Sequence, residues 1–229
     1  MTSWKKGVIS FVLVLGLIIL GSTVFAQQEQ QKAQTTTKDF EGTVKVALAK
    51  YIYMPETKGL DIILAGDVEG GVESLVGKEV RVKASVLPDK PNLLLAESLE
   101  IKEGDSYRQV YNRSVEPDFS DYFDQHTRDD YLALDISDLK KPESWKGETK
   151  VKVYGKLEDS HVVILDKNGK EVAKVVVDNI SDYAKFYMKK LRLFDKFWFY
   201  LNVKEQMDRR TIARKKEIMK ADVVFCGLF

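Results

Sequence analysis

The chain has 229 residues, 36 Lys and Arg against 35 Asp and Glu, 44% hydrophobic residues and one cysteine. Hydrophobic content this high at a net charge of +1 excludes the disordered class, and the composition excludes a collagen-like or multi-pass membrane protein. A lone Cys226 excludes an intramolecular disulfide and a Cys-based zinc site.

The first element is an apolar one. Lys5 and Lys6 precede an uncharged run over 7–26, densest from Phe11 to Leu20, and Val24-Phe25-Ala26 places small and branched residues before Gln27. That pattern predicts a signal peptide over 1–26, cut after Ala26. The alternative is an uncleaved N-terminal anchor, because 26 − 7 + 1 = 20 residues span a bilayer as a helix. Either way the body is expected outside the cytosol, periplasmic or secreted, or anchored to the inner membrane by its N-terminus. Without Lys5 and Lys6 the charges become 34 basic against 35 acidic, a balance that counts against a general nucleic-acid binder.

Residues 27–38 are polar throughout and read as a disordered linker, since they hold no large apolar side chain to offset the entropy of ordering. From Phe40 the period becomes two. Val44, Val46 and Leu48 alternate with Lys45, Ala47 and Ala49, and Tyr51, Ile52 and Tyr53 extend the same predicted strand. Leu60, Ile62 and Leu64 repeat the pattern, and 72–75 forms a turn or short helix. Val80, Val82 and Val86 share a face before Pro88-Asp89-Lys90-Pro91 reverses the chain into a strand over 93–101. About five short strands result.

Within them, Leu75-Val76-Gly77-Lys78-x-Val80-x-Val82, the proline turn, and Asn92-Leu-Leu-Leu-Ala96-Glu-Ser-Leu99-Glu-Ile101 resemble the last two strands of an OB-fold domain. The resemblance covers 39–104 and implies a five-stranded barrel. Glu97 departs from it by sharing the phase of Leu93, Leu95 and Leu99, so a bulge or an open rim is needed to keep its carboxylate wet.

Residues 105–144 read as an acidic and aromatic connecting segment with a short helix near 117–123. A second β-rich α+β module is expected over 145–229, making the whole chain mainly β with α+β character. Trp145-Lys-Gly147 opens it, and strands are predicted over 150–157, 162–165 and 172–177, with Asn168-Gly169 as the hairpin turn between the last two. Ile180, Tyr183, Ala184, Tyr187, Met188 and Leu191 then step at helical spacing behind a Ser181 cap, with Lys185, Lys189 and Lys190 off that face. An aromatic strand over 194–203, a charged helix over 204–220 and a terminal strand over 221–229 complete a barrel-like module with one or two packed helices. Gly77-Lys-Glu-Val-Arg-Val and Gly147-Glu-Thr-Lys-Val-Lys-Val are alike, which is either a repeated module or the common look of strand openings.

No catalytic constellation emerges. Asp118, Asp121, Asp124, His126, Asp129 and Asp130 offer oxygen ligands, yet their spacing fits neither a calcium loop nor a zinc pair, and the segment reads as a solvated linker. His126 and His161 are far apart in sequence, Cys226 reads as a buried small hydrophobe, and the nucleotide-loop and serine-elbow motifs are missing. No enzyme activity, metal or cofactor is assigned. The binding candidates are Trp198 and Tyr200, from Phe-Trp-Phe-Tyr, with Arg209, Arg210, Arg214 and Lys216. Aromatic platforms with cations suit single-stranded nucleic acid or a polyanion, whereas such a strand also serves as core. The leading expectation is an exported, non-catalytic envelope binding protein for an unknown protein or small ligand. The alternative is an OB-fold-type single-stranded nucleic-acid or polyanion binder.

Overall fold

A computed structural model describes residues 36–133, 149–204 and 220–228. It is mainly β with two sheets, as the alternating patterns predict. The signal segment, Trp145-Lys-Gly147 and the body of the charged helix expected over 204–220 lie outside the described residues. Among the described residues no helix is long and apolar enough to cross a membrane.

The first sheet contains β1 (Thr37–Thr43), β2 (Val46–Leu48), β3 (Tyr51–Tyr53), β4 (Asp61–Ile63), β5 (Glu79–Val86), β6 (Leu93–Glu103) and β7 (Ser106–Asn112). Its order is β1-β5-β6-β4-β3-β2, with β7 on β6, and the β4–β6 pairing is parallel. Val80, Val82 and Ala84 of β5 meet Leu94, Ala96 and Leu99 of β6 in a core closed by Val44, Ile52, Ile62 and Leu64. The Glu97 conflict resolves as a bulge. Lys83 faces Ser98 while Ala84 faces Ala96, so Glu97 is the extra residue and Leu99 moves onto the face of Leu94 and Ala96. Its carboxylate accepts bonds from Arg113 Nε at 2.9 Å and Ser85 Oγ at 2.7 Å.

Several sequence expectations are corrected here. The chain does not continue through Tyr51–Tyr53 but reverses before it, with Ala49 in the left-handed region at φ 53°. No glycine or asparagine announces that turn, so local chemistry hides it. The alternation also breaks between β1 and β2, which puts Val44 and Ala47 in the core and Val46 on the opposite face. Thr37 and Lys38 are strand residues rather than linker, and seven strands stand where five were expected. The seventh, β7, occupies the expected connecting segment because Tyr111 has a buried place to go: its hydroxyl accepts from Ala65 N and donates to Ala65 O. The helix expected near 117–123 instead forms as α1 (Gln125–Asp129), where the Asp124 carboxylate accepts from Thr127 N at 2.8 Å and fixes the start.

The second sheet contains β8 (Leu132–Ala133), β9 (Thr149–Glu158), β10 (His161–Leu165), β11 (Glu171–Ile180), β12 (Phe197–Lys204) and β13 (Lys220–Gly227). Its order is β10-β11-β13-β12-β9-β8, β9 also pairs with β10, and β11 runs parallel to β13. Gly155 sits where β9 passes from one neighbour to the other, paired with both Phe197 and Ile164. A Cβ there would lie 2.1 Å from the Val163 carbonyl oxygen, so the crossing requires glycine. The β10–β11 turn matches the sequence, with Gly169 at φ 78° and Asp166 Oδ1 accepting from Asn168 N and Lys170 N.

Helix α2 (Asp182–Lys190) lies between β11 and β12, and Ser181 caps it by accepting from Ala184 N. Its expected face packs on the second core through Ala184, Tyr187, Met188 and Leu191. Tyr183, expected on that face, instead joins Phe186, which the stripe did not include, in a second cluster with Tyr51, Ile63 and Leu93 of the first sheet. The lysines off the expected stripe are therefore not merely solvated. Lys189 Nζ donates to Ala47 O at 2.9 Å, and Lys190 pairs at 2.7 Å with the fully buried Asp61.

A candidate ligand site beside Trp198

Strand alternation decides what the Phe197–Tyr200 run can do. Phe197 and Phe199 point into the second core with Leu201 and Val203, an unbroken alternation along β12, while the irregularity opposite Tyr200 and Leu201 leaves Val224 as an extra residue on β13. Trp198 and Tyr200 face outward, but they meet different surroundings. Tyr200 is 2% exposed, sealed against Phe123 at 4.7 Å and Tyr131 at 5.5 Å. Trp198 is half-buried at the rim of that cluster.

Strand β9 supplies the rest. Its Val151 and Val153 are interior, which sends Lys152 and Tyr154 to the outer face, opposite Tyr200 and Trp198 in the pairing. Lys152 Nζ stands 4.7 Å from the Trp198 ring centre and 5.4 Å from that of Tyr200, a cation held against electron-rich faces. The Tyr154 ring lies 5.5 Å from Trp198, inclined by 55°. Lys152, Tyr154, Trp198, Leu165, Asp166 and Lys167 line a cavity of about 260 Å³. The bonds from the Lys170 and Asn168 amides hold the Asp166 carboxyl below its usual range. Among the described residues neither Lys152 nor Lys167 takes part in an ion pair. A half-buried indole, a tilted phenol and two ammonium groups over an apolar floor can hold a ring and an anion.

Of the residues proposed from the sequence, the structure places Trp198 at this cavity and Tyr200 inside the aromatic cluster; Arg209, Arg210, Arg214 and Lys216 lie outside the described residues. Lys152, Tyr154 and Lys167 were not among them. The outward phase of Lys152 and Tyr154 was readable in Val151-Lys152-Val153-Tyr154, but their pairing with β12 was not.

The acidic segment is not a solvated linker. Phe123 and Tyr131 are buried between the sheets, and burial pushes the Tyr131 phenol up to about 12. Asp121 accepts from Tyr51 Oη at 2.6 Å and from Tyr183 N at 3.2 Å and pairs with Lys50 at 3.0 Å, tying the first sheet to the start of α2. Among the described residues no group of three or more His, Cys, Asp and Glu is placed to hold a metal. Cys226 is fully buried, with Sγ 3.5 Å from Ala184 O, and burial pushes its thiol up to about 12. Burial likewise raises the Asp61 carboxyl above its usual range, against the opposing pull of Lys190. Compared with family models, curated proteins and solved structures, the chain matches none.

Proposed function

We propose that the chain is an exported binding protein of two OB-type modules, in which the first is a platform and the second presents the Trp198 groove. The strand order supports the architectural part. Taking β1 and β2 as one bent first strand, the pairings of the first sheet run 1-2-3-5-4-1 through β3, β4, β6 and β5. Those of β9, β10, β11, β13 and β12 run the same way, with the third and fifth strands parallel in both. OB-type modules carry ligands on the outer face of their second and third strands. In the first module that face bears Tyr51 and Ile63, and Tyr183 and Phe186 of α2 cover it. The groove beside Trp198 lies instead on the second module, on its first and fourth strands and the end of its second.

The observation that carries the reading is Trp198, left half-buried beside Lys152 while its neighbours in the same run are packed away. The groups that burial perturbs most, Tyr183 and Tyr51, are sealed in packing contacts, as are Asp61 and Cys226, which favours binding over catalysis. Nucleic acid takes second place because a single strand needs successive exposed rings, and of Phe197–Tyr200 only Trp198 escapes burial. Export rests on Lys5, Lys6 and the apolar run over 7–26. A panel of glycans and nucleotides, screened against the full chain and Trp198→Ala, tests the site: hits on the parent should vanish in the variant. Mass measurement of the native N-terminus tests export. A start at Gln27 is expected, and an intact Met1 in the membrane fraction would replace cleavage with anchoring.

A further inference from the structure

We infer that the Trp198 groove takes one pyranose unit of an acidic polysaccharide, a ring bearing a carboxylate or sulfate; this rests on the reading of that groove as the binding site. Size comes first. At about 260 Å³ the cavity falls below the range of roughly 300–1,000 Å³ for drug-sized ligands, so it suits one ring, with any further units outside. Shape comes next. Trp198 and Tyr154 are inclined by 55°, so a flat base stacked on one ring would meet the other obliquely. A puckered sugar avoids that conflict, because its C–H groups, polarised by neighbouring oxygens, can lie on the electron-rich indole while its edge meets the phenol.

Charge selects the substituent. Lys152 and Lys167 are not in ion pairs among the described residues, and both line the cavity. The one carboxylate there, Asp166, spends Oδ1 on the Asn168 and Lys170 amides, leaving Oδ2 to accept a sugar hydroxyl. A neutral sugar would leave Lys152 with only the ring faces of Trp198 and Tyr200, and Lys167 with only its neighbour Asp166. A carboxylate or sulfate answers both ammonium groups with charge-assisted bonds. The groove lies on the first and fourth strands of its module, the end of the second at Ile164 and Leu165, and the turn that follows it, so it meets the face that OB-type modules commonly use only at its margin.

Binding of the full chain to oligogalacturonate, its methyl-esterified neutral counterpart and an oligo-dT strand, all at the same low salt, tests this. The uronate is expected to bind at least about tenfold tighter than the ester and the oligo-dT, and its affinity should fall with salt. Trp198→Ala should abolish binding and Trp198→Phe restore part of it. Lys152→Gln and Lys167→Gln should each weaken it and flatten the salt dependence. Equal binding of the ester, or no uronate binding, overturns the acidic-sugar assignment. Tighter, Trp198-dependent binding of oligo-dT overturns the ligand class while leaving the groove as the site. Uronate binding that Trp198→Ala leaves unchanged would instead sink the reading of the groove itself.

Discussion

The two sheets order their strands alike and differ in what lies over their outer surfaces. On the first, the surface around Tyr51, Ile63, Leu93 and Leu95 is covered by Tyr183 and Phe186 of α2. On the second, the outer surface of β9 and β12 is covered only as far as Tyr200, and Trp198, Lys152 and Tyr154 remain at its margin. One helix accounts for much of the contrast. By burying Ala184 in its own module's core and Phe186 against the other's outer surface, α2 makes the two halves share one stabilising element. The lesson is that a repeated strand order need not mean repeated surroundings, because a helix with two apolar faces turns one sheet's outer surface into core.

The largest test of that contrast is Phe186→Ala. Phe186 is fully buried and belongs to the cluster between the sheets, so the change should cost about 3–5 kcal/mol. Denaturation followed by far-UV and aromatic signals should show one coincident transition in the parent. Separate melting of the two halves in the parent would break the claim that they share a core.

The next test removes Lys190 from Asp61. Breaking a buried pair from one side leaves an uncompensated charge, and Lys190→Ala should cost about 3 kcal/mol near neutral pH. The pH dependence has a definite sign. The folded Asp61 carboxyl already lies above its ordinary 3.8, so the stability linked to it is complete below that value and is lost as pH rises through the folded value. Without Lys190 the folded value rises further. The deficit of Lys190→Ala should therefore shrink on acidification toward pH 4, and Asp61→Asn in the same chain should recover most of it. A deficit independent of pH would mean that Lys190 acts through its alkyl packing alone.

A smaller effect separates β1 of the first sheet from β9 of the second. At Gly155 an added methyl meets the Val163 carbonyl, part of the backbone, whereas at Gly42 it meets the end of the Glu56 side chain. Gly155→Ala should cost about 1–3 kcal/mol, and Gly42→Ala less than about 1 kcal/mol because Glu56 can swing aside. Thermal melts of both variants measure the difference. Equal costs would show that the crossing of β9 between β12 and β10 is not held by backbone contact.

Much of this was legible from local chemistry. The Glu97 bulge followed from a carboxylate caught on an apolar phase, the β10–β11 turn from Asn168-Gly169, and the α2 start from Ser181. What escaped was set by distant partners. Ala49 turns without a turn residue, Phe186 and Lys190 look solvated until the first sheet is placed beside them, and β7 is a strand because β6 offers it an edge. The candidate site was half visible for the same reason. Trp198 stood out by type, but Lys152 and Tyr154 join it only through a pairing between residues far apart in sequence.

A modest predicted effect bears most directly on the groove. Trp198 and Tyr200 share a strand, point the same way and differ in what meets them: Tyr200 packs against Phe123, Tyr131 and Phe225, and Trp198 meets Lys152 and one tilted phenol. A ring kept for a ligand adds little to the fold, because its exposed part gains nothing from burial and a half-exposed cation contact contributes only about 0.5–1 kcal/mol. Trp198→Ala should thus lower stability by about 1 kcal/mol, against about 3 kcal/mol for Tyr200→Ala. Urea denaturation of the pair reads the difference directly. A Trp198→Ala cost as large as that of Tyr200→Ala would make the indole an ordinary part of the packing between the sheets, and the outer surface of the second would then be as closed as that of the first.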